Sequence, residues 1–309
     1  MERILPEKYV TAISNILITG GDGFIAHNFG VFIREKGLNP YFLNYDNMKE
    51  KNNYYLVKDH NVRFELDSLE ELRLLPISGV LHLATNYKIS YNVLDFNRLV
   101  EASLILTNEL AEMCVQKSLP LIVSGSYFQD KSSEELIINS PYITIKNAGE
   151  EILSYKNMDS DLNFAVTRQY ESYGKFDSRN KLLNRLIANI ISGEETELPE
   201  TNIHLDFLNV LDICEAYLKI FEEMFSETFR GLNKYEISSK KPIYLDELVG
   251  LLEKKLNKRL YISSNKQDRR GTQKTELDYP GKWPPNWRPK YDFRNDLDAL
   301  IEHIVDSSK

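Results

Sequence analysis

Tyr142 and Lys146 stand four residues apart in Ser140-Pro-Tyr-Ile-Thr-Ile-Lys146, directly after a proline. Proline suits the first turn of a helix, where its missing N–H costs nothing. Four residues of separation then put the phenol and the ammonium on one helix face. A free phenol ionises near pH ~10, too high for proton transfer near neutrality, and an adjacent ammonium favours the phenolate. The pair can thus give a proton to an oxygen that gains charge, or take one away. The same spacing recurs on solvated helices, so the pair needs a site around it.

Asn15-Ile-Leu-Ile-Thr-Gly-Gly-Asp-Gly-Phe-Ile-Ala26 supplies that context. Ile16–Ile18 read as a strand buried on both faces, and Phe24, Ile25, Phe29, Phe32 and Ile33 follow at helical spacing. Gly21-x-Gly23-x-x-Ala26, and one residue earlier Gly20-x-x-Gly23-x-x-Ala26, fit the turns that bind a dinucleotide pyrophosphate. Glycines let backbone approach the phosphates, and the helix N-terminus offers free N–H groups and partial positive charge.

Further elements must position these two stretches. Residues 40–45, 61–66, 79–84 and 120–124 read as strands, with a capping box at Ser68–Glu71 and a long helix over 95–117 between them. A helix over 142–156 and a strand over 163–167 follow. Alternation of strand and helix predicts an α/β fold, a Rossmann-type doubly wound parallel sheet. Later segments read as a helix over 179–192, a strand over 203–209, a helix over 211–225, a short strand at 235–238 and a helix over 245–256. An irregular stretch over 261–294, rich in Pro, Trp and Arg, precedes a last helix at 296–305. These predict a division into 1–170, carrying the dinucleotide and catalytic residues, and 171–309, a smaller α/β substrate-binding lobe partly interleaved with the first.

The chain resembles the extended short-chain dehydrogenase/reductases of the sugar-nucleotide epimerase/dehydratase family. The resemblance spans nearly the whole chain. It rests on Thr19-Gly-Gly-Asp-Gly-Phe-Ile25, Val80-Leu-His-Leu-Ala84, Leu121-Ile-Val-Ser-Gly-Ser126 and Pro141-Tyr-x-x-x-Lys-x-Ala-Gly-Glu150. Arg168 with Tyr173-Gly174, and Asp206-Phe-x-x-Val-x-Asp212, complete it. The resemblance implies a catalytic set of Ser126, Tyr142 and Lys146, with Ser124 as the alternative hydroxyl or a substrate contact. It implies a cofactor, NAD or NADP, held by Gly20, Gly21, Asp22, Gly23, Phe24, Ile25, Leu83 and Ala84, with Tyr142 and Lys146. Asn44 occupies the place where NAD-specific relatives carry an acid, Asp46 lies two residues on, and Lys49 and Lys51 could pair with a 2′-phosphate. Asp67 resembles the family's adenine-binding acid and could equally cap the next helix. The nucleoside diphosphate sugar that the family implies as substrate would meet Glu171, Arg179, Arg269 and Arg270, with Lys181 nearby. Leu205 stands where relatives often have Arg.

Departures narrow the reaction. The family's 4,6-dehydratases follow the catalytic hydroxyl residue with Asp-Glu, whereas Tyr127-Phe128-Gln129 follows Ser126 and the first acid is Asp130. Ser-Gly-Ser-Tyr-Phe-Gln instead resembles a segment of CDP-abequose and CDP-paratose synthases, which are 4-ketoreductases. A reductase of a nucleotide-linked 4-keto-deoxysugar is therefore the leading expectation. A nucleotide-sugar 4-epimerase is the alternative, and a non-catalytic dinucleotide-binding regulator a third.

Composition agrees with a globular enzyme. The 309 residues are 42% hydrophobic and carry a net charge of −8, which disfavours nucleic acid as a partner. Two cysteines in helical patterns point to reduced thiols and a cytoplasmic setting. The five histidines show no metal-ligand spacing, so no metal is expected. Residues 1–14 read as an extension without a signal-peptide core, and no apolar run is long enough to span a bilayer. The family also implies a homodimer through the helices at 95–117 and 142–156.

Overall fold

The computed structural model describes residues 13–45, 54–58, 62–88, 90–130, 140–158, 162–198, 203–263 and 277–307. The order begins β1 (Asn15–Thr19), α1 (Phe24–Arg34), β2 (Asn39–Tyr45), β3 (Tyr54–Lys58), β4 (Val62–Glu65), a 3-10 turn (Leu69–Leu74) and β5 (Gly79–His82). Next come α2 (Val93–Val100), a π-helical turn (Glu101–Ile105), α3 (Leu106–Lys117), β6 (Leu121–Ser126), a 3-10 turn (Tyr127–Gln129), α4 (Pro141–Met158), β7 (Asn163–Gln169) and β8 (Glu171–Tyr173). The rest is α5 (Leu182–Ser192), β9 (Glu195–Thr196), β10 (His204–Leu205), β11 (Phe207–Asn209), α6 (Val210–Met224), β12 (Gly231–Ile237), β13 (Ile243–Tyr244), α7 (Leu245–Leu256), β14 (Tyr261–Ile262) and α8 (Phe293–Ser307).

One eight-stranded sheet runs in the order β12-β7-β6-β5-β1-β2-β3-β4. Its pairs are parallel except β2–β3 and β3–β4. Ile16, Leu17 and Ile18 are wholly buried, as a central strand covered on both faces requires. One apolar cluster packs α1 and α6 on one face, with Phe29, Ile33, Tyr217 and Phe221 at its centre. A second covers the other face with Leu106, Leu110, Cys114 and Leu153. A third, built from α5, α7 and α8 around Leu186, Leu248 and Leu297, forms the smaller core. Strand β12, which lies after residue 171 in the chain, pairs with β7 at the edge of the large sheet.

Three local expectations change. Strand β3 is an antiparallel insertion between β2 and β4 that the sequence reading does not contain. The helix expected over 95–117 is broken by the π turn. The strand expected over 203–209 splits at Asp206, whose buried carboxylate accepts hydrogen bonds from Ser239 N (3.0 Å), Ser239 Oγ and Lys240 N (2.9 Å). Leu99, Leu106 and Leu110 are buried within the chain, so they offer nothing to a subunit contact. Among the described residues no helix is long and apolar enough to cross a membrane.

Candidate active site

The carboxyl ends of β1, β5, β6 and β7 open on a common cleft of about 580 Å³. The chain order reverses around β1, which pairs with β2 on one side and β5 on the other, and such switch points are where open α/β sheets bind ligands. Gly20 follows β1 with a φ of +70°, and a Cβ there would lie 2.9 Å from Ala84 Cα. A Cβ on Gly21 would lie 2.5 Å from Asn44 Oδ1, and one on Gly23 2.9 Å from Gly20 O. The turn is thus closed to side chains at all three positions. Helix α1 starts at Gly23 with no side-chain cap and no acid in its first turn. Phe24, Ile25 and Ala26 of its first turn line the cleft, so its free N–H groups and positive dipole end are open to an anion there, which fits a dinucleotide pyrophosphate.

Across the cleft, Lys146 Nζ donates to Ser124 O (2.6 Å) and lies 5.7 Å from the centre of the Tyr142 ring. Burial, with the Arg168 charge adding to it, lowers the Lys146 pKa to about 8. Burial instead raises that of Tyr142, and the neighbouring Tyr87 and Tyr91 add to the rise. The expectation is that Lys146 draws Tyr142 down; burial of the phenol sets the direction here instead, and it is upward. Ser126 caps the 3-10 turn after β6, its Oγ accepting from Phe128 N (3.3 Å) while Gln129 Oε1 accepts from Ser126 N (2.8 Å). Ser124 is engaged by the Tyr217 hydroxyl of α6 (2.9 Å), which leaves Ser126 as the hydroxyl held only by its own turn.

A second layer fixes these groups. Arg168 Nε pairs with Asp130 (2.8 Å) and its Nη2 with Glu150 (2.8 Å), while Lys234 also reaches Glu150. Gln129 Nε2 donates to Asn147 Oδ1 (3.1 Å) and Glu150 Oε2 (3.4 Å), tying the Ser126 turn to α4. His82 is wholly enclosed. Thr19 Oγ1 accepts from Leu83 N (3.1 Å) and Ala84 N (3.0 Å), so its own proton goes to His82 Nδ1 (2.7 Å). Nε2–H then faces Thr107 Oγ1 (3.0 Å), which donates to Ser103 O (2.9 Å). Burial lowers the His82 pKa to about 3, in keeping with a neutral strut.

Gly20, Asp22, Gly23, Phe24, Ile25, Asn44, Leu83, Ala84, Ser124, Ser126, Tyr142, Lys146, Glu171 and Arg179 all line the cleft. Gly21 and Asp67 do not. Gly21 packs beneath the turn, and the cap beside Asp67 is the Ser68–Glu71 box the sequence predicts. Asp46, Arg269 and Arg270 lie outside the described residues, as do Lys49 and Lys51. Arg179 is clamped by Asp177 (2.7 and 2.8 Å) and Ser172, with its guanidinium 4.2 Å from the Phe24 ring centre. Sequence reasoning misses Tyr87, whose ring meets Tyr142 edge-on at 5.1 Å and carries Lys181 Nζ at 3.9 Å on its face. It also misses Gln129, although Ser126-Tyr-Phe-Gln129 is a readable capping-box pattern.

The chain matches the NAD dependent epimerase/dehydratase family over residues 16–232. Among curated proteins it is 21% identical over 271 residues to an uncharacterized protein of Methanocaldococcus jannaschii, covering 79% of this chain and 82% of that one. It is 24% identical over 179 residues to the CDP-abequose synthase of Salmonella muenchen, covering 58% and 59%. The structure of MoeE5 in complex with UDP-glucose and NAD superposes with a TM-score of 0.77 at 21% identity, over 96% of this chain and 100% of that one. The Thermotoga maritima UDP-glucose 4-epimerase with UDP-glucose gives 0.74 at 20%, over 96% and 100%.

Proposed function

Because the chain belongs to the NAD dependent epimerase/dehydratase family, we propose that it is an NAD(P)H-dependent reductase of a nucleotide-linked 4-keto-deoxysugar. One observation carries the choice of reaction. The position after Ser126 holds Tyr127-Phe128-Gln129, and the first carboxylate, Asp130, is spent on Arg168 at 2.8 Å. The acid pair that a 4,6-dehydration needs beside the sugar is therefore missing from this turn. The similarity to a CDP-abequose synthase supports the same reading.

In this reading the glycine turn and the α1 N-terminus hold the dinucleotide, with Leu83 and Ala84 flanking it. When bound, the reduced nicotinamide supplies hydride. Tyr142 gives its phenolic proton to the carbonyl oxygen being reduced, and Ser126 Oγ hydrogen-bonds the same oxygen. Lys146 compensates the negative charge that then forms on Tyr142. Glu171, Arg179 and Lys181 face the nucleoside diphosphate sugar, and two copies pair as a homodimer. The test is the absorbance of reduced nicotinamide with a CDP- or dTDP-4-keto-6-deoxyhexose. One equivalent oxidised per product is expected. Interconversion of 4-hydroxy epimers without net oxidation would overturn the reductase and make the protein an epimerase.

A further inference from the structure

We propose that Tyr87 is a positioning residue for the reaction: one ring that sets the Tyr142 phenol and also holds the Lys181 ammonium ready for the substrate's diphosphate. The inference rests on the reading of the cleft as a nucleotide-sugar reductase site. It adds a physical link between the proton donor and the group that meets the substrate's charge. It comes from a ring that the core does not need.

Tyr87 lies in the loop between β5 and α2, lines the cleft and is 43% exposed. Among the described residues it joins none of the three apolar clusters. Its backbone is nevertheless fixed on both sides. The Tyr91 hydroxyl donates to Asn86 O (2.9 Å) and accepts from Lys88 N (2.9 Å), so the residues before and after Tyr87 hang on one oxygen. Asn86 Nδ2 donates to Asp95 O (2.9 Å), which ties the loop to the first turn of α2. Ordering an exposed ring in this way costs conformational entropy that burial does not repay, so its contacts carry the explanation.

Two groups touch it. The Tyr142 ring stands at 87° to it with centroids 5.1 Å apart, the geometry of an edge-to-face pair. Lys146 Nζ is 5.7 Å from the Tyr142 ring centre but is tied to Ser124 O, so Tyr87 restricts how the phenol can tilt. Lys181, the residue before α5, places its Nζ 3.9 Å from the Tyr87 ring centre, within cation–π range. Among the described residues no carboxylate forms an ion pair with it, whereas Arg179, two residues earlier, is committed to Asp177. Burial lowers the Lys181 pKa, and the Glu171 charge opposes that in part. An ammonium resting on a ring face keeps N–H donors for phosphate oxygens, which are stronger partners than the ring. A free lysine loses much rotamer freedom when it binds, and the ring removes that cost in advance.

The measurement is made on the full chain loaded with NADH or NADPH. It takes the Kd of CDP and of dTDP by calorimetry, and kcat and KM with the CDP- or dTDP-4-keto-6-deoxyhexose. The wild type is compared with Tyr87→Leu, Tyr87→Phe, Lys181→Met and the Tyr87→Leu, Lys181→Met double variant, each checked for an unchanged melting temperature. Tyr87→Leu should raise the nucleoside diphosphate Kd and KM by about fivefold, the size of one cation–π contact. It should separately cut kcat by about tenfold, through the loosened phenol. Tyr87→Phe, which keeps the ring, should recover most of both. In the Lys181→Met background, Tyr87→Leu should leave the Kd within about twofold and still lower kcat. An unaffected Tyr87→Leu, an equal loss of affinity in both backgrounds, or a Tyr87→Phe as impaired as Tyr87→Leu overturns the proposal while leaving the assigned reaction intact. If neither diphosphate binds the wild type, or no reduced nicotinamide is oxidised, the reading of the cleft itself falls, and this proposal with it.

Discussion

Burial pushes Tyr142 and Lys146 both toward their neutral forms, the phenol upward and the ammonium downward. The Tyr-x-x-x-Lys spacing located the pair, and the structure puts both on one face of α4 in the cleft. Replacing Tyr142 with Phe should cut turnover by about 100-fold or more, within the range for a lost general acid, while cofactor affinity persists. Steady-state rates alongside a binding titration check this, and near-normal turnover would remove the proton donor. The raised phenol and the lowered ammonium follow from burial among Tyr87, Tyr91 and Arg168, neighbours that only the fold assembles. If charged Lys146 is required, kcat/KM should fall above about pH 8, where Lys146 loses its proton. Lys146→Arg, which stays charged, should shift that limb upward even if overall activity drops. His82 gives an acid-side counterpart. Its folded pKa, about 3, is below the free value near ~6.5, so the unfolded chain binds the extra proton between those limits. Stability is then full above the free value and declines as pH falls toward 3, by at most about 1.4 kcal/mol per pH unit. His82→Gln should flatten that decline in denaturant titrations at pH 7 and pH 5.

At the scale of elements, strands buried on both faces and the glycine turn were legible because their signals are local: apolar runs, φ-permissive residues and a capping box. Strand β3 was not, since Tyr54–Lys58 comes after a polar stretch and gains its place only by pairing with β2 and β4. The π turn escaped for a similar reason. Glu101–Ile105 has ordinary helical composition, and it packs closely on α4, where a Cβ on Gly149 would lie 2.7 Å from Ser103 O. The turn itself gives a sharp test. Gly23→Val would drive a branched side chain toward Gly20 O, 2.9 Å from the first carbon, and should abolish dinucleotide binding in a folded protein. Calorimetric titration decides it, with unchanged affinity counting against the assigned cradle.

For the whole molecule, the family match ends at residue 232, and the 277–292 segment beyond it is held by buried carboxylates and aromatic rings instead of a ladder. Asp212, in the first turn of α6, accepts from Lys290 N (2.9 Å) and Tyr291 N (3.0 Å), while Glu236 accepts from Gly281 N (3.0 Å) and Ser238 Oγ (2.6 Å). Within the stretch read as irregular, 277–292 shows no period because side-chain-to-backbone ties carry none, while Tyr261–Ile262 at its start forms β14 against β9 and Phe293 already opens α8. Asp212→Ala should cost on the order of 1–3 kcal/mol by stranding those two N–H groups, measurable as a lower denaturant midpoint. The proposed homodimer is checked by light scattering at micromolar concentration, where a monomer would refute it. Its apolar contribution would come from side chains such as Ile105 and Tyr155, which face solvent. Both tryptophans of the chain, Trp283 and Trp287, lie in the 277–292 segment, perpendicular to each other at 5.8 Å. Trp287 donates to Asp212 O (3.0 Å) and Trp283 to Ser238 Oγ (3.2 Å). Indole emission is therefore a private optical channel for this strap: its red shift on heating marks the strap leaving α6 and β12, while the amide circular dichroism times the melting of the sheet beneath.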